Sequence, residues 1–173
     1  MRPSDTDQKL RNQRLIFYED DVEQINRGLE NYQQLSKSRC NMLIDVEGHA
    51  VTQVGSTDGI NLETIAPLVA GSVAATKEVA KILGEKEFTS LTHEGKHESI
   101  QLSVVGNRTI LATIYDQEET TTGMVRFYTK ELVEKLQTIF DDIQNRKDPV
   151  RGVFDDTGLS GLDDVLDDMF GDV

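Results

Sequence analysis

The stretch TIAPLVAGSVAATKEVAKILG, residues 64–84, decides the fold. It reads as one long helix. Thr64 is placed to cap its start, with Pro67 in the first turn, where a missing N–H costs nothing. Gly84 stands where a left-handed C-cap belongs. At ~1.5 Å per residue the helix is roughly 30 Å long, enough to cross a small domain. Ile65, Leu68, Val69, Ser72, Thr76, Val79 and Leu83 fall on one stripe at helical spacing, and this stripe is expected to pack on a sheet. The other side carries Ala66, Ala70, Ala74, Lys77 and Lys81. Alanine lets another backbone come close. That neighbour is either a crowded contact within the chain or a second partner, and the pattern alone leaves both open.

Outward from this helix the chain alternates in type. Upstream, Asp20 with Glu23 suits a capping box, and Val22, Ile25, Leu29 and Tyr32 form the stripe of a first helix. CNMLID, residues 40–45, reads as a buried strand, residues 46–49 as a turn, and residues 50–54 as the returning strand. Downstream, residues 88–92, 99–105 and 109–115 read as three more strands. In the last of these Ile110, Ala112 and Ile114 alternate with Leu111, Thr113 and Tyr115, so both faces are expected to be buried. A third helix starts near Met124, with Val125, Tyr128, Leu132, Leu136, Ile139, Phe140 and Ile143 as its stripe, and Asp148-Pro149 stops it. The order αββαβββα with short hairpins implies an α/β protein of the α+β type, with a mostly antiparallel sheet and helices on both faces. The domain is expected to span residues 15–147, after a disordered residues 1–14 and before a linker and acidic tail at 148–173.

The totals set bounds on function. A chain of 173 residues has room for one cored domain and a tail. No apolar run reaches membrane-spanning length, and the polar first residues lack the core of a signal peptide. The single cysteine, Cys40, excludes an intramolecular disulfide and favours a reducing cytoplasm. A formal charge of −13 argues against nucleic acid and anionic membranes as partners.

One motif matches metal chemistry. His93-Glu94-Gly95-Lys96-His97 has the H-E-x-x-H pattern of zinc peptidases. That chemistry needs a helix, so that both imidazoles share a face and the Glu acts as base. Here strand-like segments flank the motif and Gly95 sits inside it, so a hairpin connection is expected instead. There is no phosphate-binding GxxxxGK[ST] loop and no GxGxxG, and Cys40 begins an apolar run as a small core residue would. No cofactor, metal or catalytic group is expected, and a binding or regulatory module is favoured over an enzyme.

LIDVEGHAV (43–51), IAPLVAGSVAATKEVAKILGE (65–85), FTSLTHEG (88–95), TILATIYD (109–116) and the GMVR (123–126) opening the last helix together resemble the Roadblock/dynein light-chain family. Within it the chain is most similar to the bacterial branch that regulates Ras-like small GTPases of the MglA type. The resemblance runs from about Leu15 to the C-terminus. It implies a five-stranded antiparallel sheet with one helix on one face and two on the other. It also implies a homodimer made by pairing edge strands and laying the long helices side by side. In that branch the paired helices contact the GTPase and stimulate GTP hydrolysis without an arginine finger. Carried over, Ala70, Ala74, Lys77 and Lys81 become candidate partner contacts. A passive adaptor of the same fold is the alternative, and a zinc peptidase through the HEGKH motif a remote one.

The tail has its own pattern. Residues 153–173 hold seven aspartates and no Lys or Arg. Leu159, Leu162, Val165, Leu166, Met169 and Phe170 form one helical stripe between them. Such a segment suits folding on an apolar groove, or else only aids solubility. The resemblance implies a role in nucleotide exchange on the GTPase, with Leu166, Met169 and Phe170 as anchors.

Overall fold

The computed structural model describes residues 17–145, and the expectations for the two termini, the domain boundary and the tail anchors Leu166, Met169 and Phe170 lie outside the described residues. The elements are α1 (Glu19–Ser36), β1 (Cys40–Asp45), β2 (Ala50–Gly55), α2 (Leu62–Ile82), β3 (Ser90–Glu94), β4 (Glu98–Val105), β5 (Thr109–Asp116) and α3 (Thr122–Asn145). The strands form one sheet in the order β2-β1-β5-β4-β3, and every neighbouring pair is antiparallel. The fold is therefore α+β, with the expected element order.

β5 is the middle strand and is buried from Thr109 to Tyr115, as its two apolar sets require. Side chains alternate across a strand, so each set feeds a different core layer. Met42, Ile44, Ile110, Ala112 and Leu102 face α2 through Ala66, Val69 and Ala70. Leu43, Leu111 and Val105 face α1 and α3 through Ile25, Leu29, Tyr32, Leu132, Leu136 and Phe140.

The helix ends differ from expectation in detail. α1 begins at Glu19, and it is the Asp21 carboxylate that accepts the Tyr18 N–H, at 2.9 Å, rather than Glu23 closing on Asp20. α2 begins two residues before Thr64. Its cap is Asn61, whose side-chain oxygen accepts the Thr64 N–H at 3.1 Å. Pro67 consequently lies in the second turn, where its ring deprives the Glu63 carbonyl of a helical donor. At the other end Gly84 takes φ +80°, its N–H bonding Lys81 and the Glu85 N–H bonding Ala80. This paired closure is the Schellman arrangement that a glycine there permits. β3 also starts two residues later than the apolar pattern suggested, and so takes in His93 and Glu94.

The β1–β2 turn is tied to α2. Gly48 has φ +94°, and a Cβ there would come within 2.8 Å of the Pro67 Cα. Asp45 Oδ1 accepts the N–H groups of Glu47 and His49, both at 2.9 Å, and so fixes the turn from inside.

Candidate functional site

α2 presents the candidate surface. The sheet claims Leu62, Ile65, Ala66, Val69, Ala70 and Val73, a stripe rotated from the one the sequence suggested. Small residues at 66 and 70 let the helix lie close against the sheet at β1 and β2, and Leu68 is turned away from it. Leu68 is 68% exposed, Val79 48%, Ile82 84% and Leu83 67%. Leu68, Gly71, Ala75, Val79 and Ile82 thus line up at spacings of three and four residues on the outer face, every one exposed. Such an apolar seam, ~21 Å long at 1.5 Å per residue, suits a facing helix more than water.

The four helix residues expected at a partner surface separate. Ala70 is 7% exposed and packs in the core, so its side chain reaches no partner. That expectation is corrected by the helix rotation. Ala74, Lys77 and Lys81 are exposed, beside the seam. Lys77 Nζ lies 3.4 Å from Glu87 Oε2, and Lys81 Nζ 2.6 Å from Glu78 Oε1, which holds these lysines along the helix flank. Three further residues of this outer face, Gly71, Ala75 and Ile82, carried a readable signal. Their spacing with Leu68 and Val79 forms a second apolar stripe on a helix that already had one.

The sheet also has an open strand edge. β3 ends the sheet, and among the described residues nothing pairs with its outer side. Its five residues split between faces. Leu91 packs in the α2 layer. On the α3 side, Thr92 accepts from Arg126 at 3.1 Å and Glu94 from the Thr122 hydroxyl at 3.2 Å.

The zinc-like motif is not on a helix. His93 pairs with Ile100 and Glu94 with Ser99 inside the β3–β4 ladder, so these two side chains point to opposite faces of the sheet. His97 lies in the connection before β4. The geometry that the peptidase chemistry demands is absent from this motif. Elsewhere Asp45, Glu47 and His49 bring ligand atoms within 4.8 Å of one another in the β1–β2 turn. These groups serve each other and Arg108, which donates to Glu47 at 2.9 Å. Burial pushes the Asp45 carboxyl up, but bonds from the His49 N–H, the His49 ring and the Glu47 N–H outweigh it and hold the carboxyl below its usual range.

The Cys40 thiol and the Tyr32 phenol are both buried. Cys40 is fully buried, and burial pushes its thiol up against a smaller opposing pull from Arg39. Burial likewise raises the Tyr32 phenol, whose hydroxyl is held by Thr113 and Thr129 at 3.2 and 2.7 Å. No helix among the described residues is long and apolar enough to cross a membrane.

A family model of the Roadblock/LC7 domain matches residues 26–115, from α1 through β5. The chain belongs to this family. Among solved structures it is similar to Myxococcus xanthus MglB at 32% identity and TM-score 0.71, covering 78% of this chain and all of that one. The gliding protein MglB of Thermus thermophilus follows at 29% and 0.68, covering 74% and 96%. An MglB solved in a tetrameric arrangement gives 28% and 0.69, covering 75% and 96%. No curated protein gives a significant match. The Roadblock/LC7 assignment agrees with the fold and with the resemblance carried by residues 43–51, 65–85 and 88–95.

Proposed function

We propose that this protein is a homodimeric regulator of a Ras-like small GTPase of the MglA type, acting in the cytoplasm. The observations that carry this reading are the exposed apolar seam of α2 and the unpaired edge of β3. Two copies bury both features at once, by pairing β3 edges and setting the α2 helices side by side. The joined helices then offer a wide, rigid platform flanked by Ala74, Lys77 and Lys81. A GTPase hydrolyses slowly because its switch loops and water-positioning groups are loosely arranged, and a rigid surface that binds one arrangement populates it. No catalytic group need come from this chain. The likeness to MglB supports the reading.

Residues 153–173 are assigned to nucleotide exchange on the same GTPase, through Leu166, Met169 and Phe170. Single-turnover GTP hydrolysis by an MglA-type GTPase, with and without the protein, tests the main reading. Acceleration is expected. Binding without acceleration favours an adaptor, and no binding overturns the proposal. Deleting 153–173 is expected to preserve docking and change the rate of GDP release.

A further inference from the structure

α3 runs alongside β3 as a ladder. Four residues of helix advance ~6 Å and two residues of strand ~6.6 Å, so contacts recur in step. The first rung joins Thr122 to Glu94, and the second Arg126 to Thr92. The third brings Lys130 and Ser90 together on the wall of one cavity of about 530 Å³ between α3 and the β3–β4 edge. That rung is incomplete. Ser90 offers no charge, and among the described residues neither Arg126 nor Lys130 is in an ion pair, although Glu134 stands one turn further along the same wall. The cavity wall also includes a buried amide. Gln101 is 1% exposed, gives its amide N–H groups to Thr129 and Ser103, and leaves its carbonyl oxygen without a partner. Turning that amide over would let the Ser103 hydroxyl donate to the oxygen, but would leave the amide N–H groups without that partner.

We infer that the missing acceptor is Glu94 of the partner subunit. This rests on the homodimer proposed above. Full antiparallel overlap of the five-residue β3 with its own copy places the two-fold axis at Thr92, so that Ser90 stands opposite Glu94 of the partner subunit. Both lie on the α3 side of the sheet, with Cβ atoms about 5 Å apart as in any directly opposed cross-strand pair. The partner's carboxylate then enters the cavity mouth between Arg126 and Lys130. Symmetry makes two such ion pairs per dimer, one at each end of the joined strands. They favour this strand register over the slip that sets the partner's Glu94 opposite residue 88, beyond the Ser90–Lys130 rung.

Charge reversal on the full chain tests this by sedimentation equilibrium. Lys130→Glu sets like charges together twice and is expected to weaken the dimer at least about tenfold, with the loss shrinking in 1 M salt. Glu94→Lys is expected to do the same, and the double variant E94K/K130E to return within about threefold of the original affinity. Lys130 is exposed, so its variant keeps the fold, which circular dichroism checks. An unchanged dimer in Lys130→Glu, or a double variant as weak as the singles, overturns the ion pair while leaving the homodimer standing. A chain that is monomeric throughout overturns both.

Discussion

Leu68→Asp separates the two faces of α2 in one variant. Two-thirds of this side chain is exposed in the protomer, at 68%. Burying a whole leucine is worth about 1.5–3 kcal/mol, so the exposed part holds about 1–2 kcal/mol for an interface. A two-fold dimer counts it twice, giving about 2–4 kcal/mol, or roughly 30- to 1,000-fold in the dissociation constant. The protomer itself loses only the buried third and some helix propensity, together about 1 kcal/mol. Had Leu68 faced the sheet, as its helical spacing first suggests, a charge there would cost the fold well over the 2–5 kcal/mol of a simple core truncation. The assay is sedimentation over a range of loading concentrations, paired with urea unfolding followed by far-ultraviolet circular dichroism. The expected result is a nearly native protomer that no longer dimerises at micromolar concentration. A native spectrum with an unchanged dissociation constant refutes the seam as an interface. A large loss of protomer stability refutes the helix rotation itself.

Two further expectations use contrasts of the same kind. Ala70→Arg is expected to destabilise the protomer by about 3 kcal/mol or more, since it forces bulk and charge under α2, whereas Ala74→Arg is expected to leave stability within about 0.5 kcal/mol and abolish GTPase binding. Unfolding curves and partner titrations of both variants check the pair, and equal stability of the two removes the distinction. Asp45→Ala is expected to cost about 1 kcal/mol at neutral pH through the lost turn bonds. Because the folded carboxyl titrates below its unfolded value, its contribution is full above about pH 5 and fades as pH falls through the folded value, so wild type and variant converge in acid. A gap that persists at pH 2 shows that charge on Asp45 is not the cause.

The architecture was legible because each strand announced its own environment. Cys40–Asp45 and Thr109–Asp116 each put apolar residues on both faces and sit in the interior of the sheet, whereas Ser90–Glu94 is mostly polar and ends it. α3 declared its buried face through bulky residues alone, and Val125, Leu132, Leu136 and Phe140 are all in the core. α2 misled for a physical reason. It is apolar on two sides, and ranking residues by size put Leu68, Val79 and Leu83 inward when alanines had already taken the close approach to the sheet. A helix with two apolar stripes reports that it has two neighbours, not which neighbour takes which stripe. The boundaries at Asn61 and Ser90 were hidden because caps and edge strands depend on single hydrogen bonds that periodicity does not see. The H-E-x-x-H match shows the converse, since spacing without helical context carries no ligand geometry.

The close seating of Gly48 against Pro67 couples two positions that are 19 residues apart. The hairpin tip acts as a stop for the helix, and the proline ring is the surface it stops against. Any side chain at 48 has to lift that end of α2, which tilts the seam and the lysine flank together. The orientation of the outer face of α2 is therefore set partly by a surface turn.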